Sequence, residues 1–141
     1  MTSYLRPGEK SLRNGRVSIP DQVYFITFVC DERKRIFTDW ECALGAVKIL
    51  TEERLWRNSK LLCWVSMPDH WHGLVQLADE ESLSKLVQRV KAVSAKNINI
   101  VRSRSDSVWL KCFFDRGLRA EEDIRSVAEY IIANSIRAGL V

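Results

Sequence analysis

The chain of 141 residues predicts an α+β domain: an antiparallel sheet in the ferredoxin-like order β-α-β-β-α-β, followed by an additional C-terminal helix. Three observations carry that expectation. A β-branched and aromatic run, VYFITFVC, lies near the N-terminus. Two further runs of this kind flank a Pro-Asp turn. Between and after them, apolar residues recur at helical spacing.

Residues 1–20 contain Pro7, Gly8, Asn14, Gly15 and Pro20 and read as a polar N-terminal arm of a single domain spanning 1–141. Residues 23–30 read as the first strand. Thr38 or Asp39 can cap a helix running to about Arg57, with Trp40, Ala43, Val47 and Leu50 as its apolar positions. Residues 61–67 and 70–77 read as a hairpin about Pro68-Asp69. Ser82 can cap a second helix to about Asn97, with Leu83, Leu86, Val90 and Val93 on one face. Residues 98–107 read as a basic, Ser-rich loop and 108–114 as a short fourth strand. Glu121, Glu122 and Asp123 favour the positive end of a last helix, which runs to about Asn134.

Hydrophobic residues make up 46% and charged residues 28%, with three Pro and six Gly, which excludes a disordered or collagen-like chain. No apolar run reaches the roughly 18 residues of a membrane span, and the start, MTSYLRPGEK, has no signal-peptide core, so a cytoplasmic location is expected. Cys30, Cys42, Cys63 and Cys112 are scattered without a CxxC pair, which fits reduced, buried thiols.

The net charge is +4, unevenly spread. Residues 82–119 hold nine basic side chains (Lys85, Arg89, Lys91, Lys96, Arg102, Arg104, Lys111, Arg116 and Arg119) against Asp106 and Asp115, leaving the rest of the chain at −3. Arg33, Lys34 and Arg35 follow the first strand, and Arg13 and Arg16 stud the arm. Such a distribution suits a polyanion such as nucleic acid, or a solvated helix face beside a basic loop.

The only two histidines, His70 and His72, are two apart on a strand, so both imidazoles point to one face. They can begin a divalent-metal site or lie as surface histidines beside a turn. No full zinc set lies nearby in sequence, so an oxygen-completed Mg²⁺ or Mn²⁺ site is the better match to a metal reading. Tyr130 and Asn134 share a helix face. Tyr130 can be a nucleophile near a metal-bound phosphate or an ordinary amphipathic residue, and Asn134 a ligand or a helix C-cap.

Three segments resemble one known family. MPDHWHGL (67–74) resembles the "MPNHxH" signature of the single-tyrosine HUH transposases; VWLKCFFDRGLR (108–119) resembles their "W-Q-x-x-F-x-D-H-x-I-R" segment; YIIANSIRAGLV (130–141) resembles their "YIxxNPxxAGLV" ending. The length and the LRNGR arm are most similar to the REP-associated tyrosine transposases within these IS200-like enzymes. Asp69 stands at the usual Asn, Leu110 at Gln, Arg116 at His and Ser135 at Pro, changes that bear on DNA specificity and the helix end.

The resemblance implies a metal held by His70, His72 and Asn134, with Tyr130 attacking a phosphate of single-stranded DNA to give a 5′-phosphotyrosine link and a free 3′-hydroxyl. It implies a hairpin DNA partner, strand rejoining without ATP, a monomer or homodimer, and a nucleoid-associated enzyme. The basic residues named above would grip phosphates. Trp109, Phe113 or Phe114 would stack on unpaired bases, with core packing as the alternative for each and the expected fate of at least one. The alternative is a catalytically silent hairpin-DNA-binding protein of the same fold. A ferredoxin-like RNA-binding module is the remaining possibility, against which the missing aromatic RNP pattern counts.

Overall fold

The computed structural model describes residues 22–78 and 81–137, with side chains through Asn134. The expected arm, with Arg13 and Arg16, lies outside the described residues. The elements are β1 (Val23–Val29), α1 (Trp40–Leu50), α2 (Glu53–Trp56), β2 (Lys60–Met67), β3 (His70–Gln76), α3 (Leu83–Arg102), β4 (Phe114–Leu118) and α4 (Glu121–Arg137). The sheet runs β2-β3-β1-β4 with every neighbouring pair antiparallel, as the ferredoxin-like expectation requires. No helix among the described residues is long and apolar enough to cross a membrane.

All seven residues of β1 are buried, which fits a central strand covered on both faces. Tyr24, Ile26 and Phe28 join a large core under α1, α2 and α3. Val23 and Phe25 join a smaller core with Val65, Leu74 and Leu118, closed by Val127 and Ile131 of α4. The sheet therefore separates α1–α3 on one side from α4 on the other.

Three boundaries differ from the sequence expectation. The first helix stops at Leu50, where the Thr51 hydroxyl donates to the Val47 carbonyl at 2.6 Å. The chain restarts as the short α2, which turns Trp56 inward so that its Nε1 donates to the Leu50 carbonyl at 2.7 Å. The second helix does not end near Asn97. Leu83, Leu86, Val90, Ser94 and Ile98 form one continuous buried stripe, and the helix closes only at Ser103 in the left-handed conformation (φ 55°). The polar Ser94 inside the stripe and the polar outer side conceal it in the sequence. The fourth strand begins at Phe114, later than expected. Val108 and Leu110 bond the β1 edge through Asp31 N–H and the Val29 carbonyl, both at 2.8 Å, while the carbonyls of Leu110 and Cys112 accept from Lys91 Nζ and the ladder resumes only at Phe114.

The cysteines are free thiols, as expected, although only Cys30 and Cys42 are buried while Cys63 and Cys112 are partly exposed. Burial, with a smaller effect from Asp69, pushes the Cys30 thiol up to about 12, so it is inert.

Candidate active site

The site is set by alternation along β3. Trp71 faces the large core, between Phe28 (ring centroids 5.2 Å, 26° between planes) and Trp56 (6.1 Å, 23°). Gly73 faces the same way, and a Cβ there would run into the Trp71 indole, so glycine is what lets the indole lie flat along its own strand. His70 and His72 face α4, with ring centroids 4.7 Å apart.

Each imidazole is anchored at Nδ1. His70 Nδ1 lies 2.7 Å from Asp69 Oδ1, and His72 Nδ1 lies 2.9 Å from Thr27 Oγ1, the residue facing it on β1. This leaves Nε2 of each ring to meet a ligand. Burial, and to a lesser degree the neighbouring His70, pushes His72 down to about 3, so its ring is neutral at pH 7 and keeps a lone pair. Partial burial pushes the Asp69 carboxyl upward, but hydrogen bonds from His70 and Arg33 together hold it below the ordinary carboxylate range.

The fourth helix delivers the phenol. Val127 and Ile131 are buried, and Tyr130 sits one step off that stripe, 43% exposed. Its ring lies 6.1 Å from that of His72 and 6.3 Å from that of Phe25, which itself lies 5.1 Å from His72. An accessible phenol thus stands over the buried histidine. Asn134 is one turn further along, half-buried inside the helix, so it is not the C-cap of α4. Among the described residues no group of three His, Cys, Asp or Glu converges on a metal position. His70 and His72 offer imidazole nitrogens and Asn134 on α4 an amide oxygen, donor types that together would suit Mg²⁺ or Mn²⁺ better than structural zinc.

The expected DNA-gripping residues divide. Arg89 is built into the fold, donating to both oxygens of Glu81 and to the Leu55 carbonyl at 2.9 Å. Lys91 is held inside by the two carbonyls named above. Trp109 is buried against Phe28 and Phe37 and donates to Ser94 Oγ at 3.0 Å, so it offers no stacking face. Phe113 is also buried and Phe114 half-buried. These placements correct the expectation of DNA contact for Arg89, Lys91 and Trp109, whose type and position in a basic segment hide their internal partners, while Phe113 takes the core place that was its alternative.

Lys34 and Arg102 both reach Asp106, at 2.9 and 3.5 Å, and Arg33 reaches Asp69. Arg116 is half-buried on β4, in register with Phe25. Arg35, Lys85, Lys96, Arg104, Lys111 and Arg119 are exposed. Lys34, Arg35, Arg102 and Arg104 line a cleft of about 450 Å³ that Asp39 and Glu41 complete. Trp40, between those two acidic residues, is 75% exposed, although sequence periodicity assigns it to a buried helix face. Thr27 is a further site residue that the sequence does not reveal, since only the strand register shows that it meets His72.

The chain matches the family model described as transposase IS200-like over residues 18–134. Its fold is similar to that of a REP-associated tyrosine transposase solved with a bound REP hairpin (21% identity, TM-score 0.65, covering 89% of this chain and 73% of that one). It is also similar to a protein of Deinococcus radiodurans described as a transposase (19% identity, TM-score 0.61, covering 84% of this chain and 95% of that one). No curated protein matches the chain.

Proposed function

This chain belongs to the IS200-like transposase family, and from that premise we propose that it is a metal-dependent single-stranded DNA endonuclease and strand transferase acting beside a DNA hairpin of the REP type. The observation that carries the proposal is the phenol of Tyr130 standing 6.1 Å, ring to ring, from His72, itself paired with His70. His70, His72 and Asn134 would hold Mg²⁺ or Mn²⁺, which when bound draws electrons from the scissile phosphate. The Tyr130 oxygen forms a bond to phosphorus as the bond to the 3′ oxygen breaks. The proton lost by the phenol is matched by one gained at the 3′-hydroxyl. The 5′-phosphotyrosine conserves the bond energy, so the reverse step on another strand needs no ATP.

Thr27 and Asp69 fix the two imidazoles, and Phe25 supplies an apolar floor beneath the phenol. Exposed Arg35, Lys85, Lys96, Arg104, Lys111 and Arg119 would meet phosphates, and Trp40 offers the stacking face that Trp109 does not. The protein, incubated with a labelled hairpin oligonucleotide and Mg²⁺, should give a covalent adduct that survives denaturing electrophoresis. Peptide mapping should place the nucleotide on Tyr130. Binding without any adduct would leave the silent hairpin-binding reading, and an adduct on Tyr4 or Tyr24 would remove Tyr130 as the nucleophile.

A further inference from the structure

We infer that Arg33 and Asp69 form a relay that fixes the tautomer and aim of His70, making Arg33 a positioning residue of the active site and not a phosphate-gripping one. The inference rests on the metal-site reading above. One carboxylate is used at both ends: Asp69 Oδ1 lies 2.7 Å from His70 Nδ1, and Oδ2 accepts from Arg33 Nη1 at 3.1 Å. With both oxygens engaged, the carboxylate cannot rotate without breaking one of the two interactions.

The loop after β1 is built around this pairing. Cys30 N–H donates to the Asp69 carbonyl at 2.9 Å, and Phe37 N–H to the Pro68 carbonyl at 3.0 Å. The backbone on both sides of Arg33 is therefore tied to the turn that opens the histidine strand. Between these ties, Glu32 and Arg33 both adopt the left-handed conformation, at φ 56° and 53°. Side chains other than glycine hold that conformation at a cost, and two in succession persist only where surrounding contacts over-determine them. Here the strained pair presents Arg33 to Asp69.

An aspartate at this position has a chemical consequence. An ionised carboxylate can only accept, so the proton between it and His70 belongs to Nδ1, and of the two neutral tautomers this selects the one whose Nε2 carries the lone pair. An amide in the same place can also donate, through its NH₂ group, and leaves the tautomer less determined. Thr27, whose hydroxyl both donates and accepts, gives His72 no such constraint. The two histidines are thus held by unequal partners, and the more exposed one has the stricter of the two.

The test uses the full chain labelled with ¹⁵N-histidine, with His70→Ala to assign the ring signals. Three quantities are read in wild type, Arg33→Gln and Asp69→Asn: the His70 tautomer by ring ¹⁵N shifts, Mn²⁺ affinity by calorimetry, and the salt slope of hairpin binding. Wild type should show one His70 tautomer, protonated at Nδ1. Asp69→Asn should mix the tautomers and weaken Mn²⁺ about 10- to 100-fold, the range seen when outer-shell partners of a ligand are removed. Arg33→Gln should shift both in the same direction by a smaller factor, with the salt slope unchanged. The relay is overturned if Arg33→Gln keeps the wild-type tautomer, or if it lowers the salt slope by the roughly 0.7–0.9 that one phosphate neutralised by a cation contributes. Should wild type bind no Mn²⁺, the metal reading fails, and the tautomer arm still decides the relay.

Discussion

The two faces of the sheet are made from the same strands and do opposite work. Toward α1, α2 and α3 the strands send Phe28, Trp71 and Val75 into a core of 22 buried residues among those described. Toward α4 they send Phe25, His72 and Leu74, and the buried cluster there has only seven members. The first face is apolar and ring-stacked; the second carries two anchored imidazoles and an accessible phenol. The difference arises within four residues, His70-Trp71-His72-Gly73, because side chains alternate across a strand. Packing is deep on one side and shallower on the other, where the imidazoles and the phenol lie.

Substitutions on the two faces should therefore fail in different ways. The largest effect is expected where the structure changes least. Tyr130→Phe removes one hydroxyl from a part-exposed ring, so stability should hold within about 0.5 kcal/mol. Adduct formation should nevertheless fall by at least about 10³-fold, read by denaturing electrophoresis beside an unchanged hairpin affinity. If this variant cleaves at the wild-type rate, the α4 face has no claim to the chemistry.

The opposite pattern is expected one residue from each histidine. Trp71→Ala should cost about 3–5 kcal/mol in urea unfolding, through the cavity left between Phe28 and Trp56. Cleavage by the fraction still folded should continue. Gly73→Ala adds only a methyl, but it adds it against the Trp71 ring, for a cost of about 1–3 kcal/mol. That cost should shrink in a Trp71→Leu background, and a double-mutant cycle measures the difference. An additive cycle would mean that Gly73 is required for some reason other than the indole.

The smallest effect separates basic residues of one helix. Lys85→Ala with Lys96→Ala, both exposed, should lower the salt slope of hairpin binding by about 0.7–0.9 for each phosphate they neutralise. Arg89→Ala with Lys91→Ala should leave the slope unchanged and lower the unfolding midpoint, since both side chains are bonded inside the protein. A flattened slope in the second pair would return those residues to the DNA surface.

Much of this fold is legible in the sequence because the sheet alternates cleanly and the helices have clear caps. Asp39 and Ser82 cap α1 and α3 as expected, through the backbone N–H groups of Cys42 and Lys85. The histidine pair and the tyrosine can be named from spacing and from the resemblance of three segments. What cannot be read is where polar side chains end. Lys91 is as basic in sequence as Lys96, but only the packing of 108–113 against α3 shows that one of them is internal. Trp109 and Trp40 reverse their expected roles for a similar reason: burial is decided by elements distant in sequence. The Arg33–Asp69 pairing joins the loop after β1 to the hairpin turn, and no local pattern announces it.

The strand order β2-β3-β1-β4 also bears on the sequence of events during folding. β2 and β3 form a tight hairpin, whose closure entropy is small. The central strand β1 must then find β4, with Val23 paired to Leu118 and Thr27 to Phe114, far apart along the chain. Closing so long a loop is slow, and α4 has no complete surface to dock on until Leu118 joins Val23 and Val65. The histidines can therefore be in place on a partly formed sheet before Tyr130 reaches them. Tyr130 and Asn134 come together with α4, so a chain in which that helix has not yet docked would hold the histidine pair without either of them.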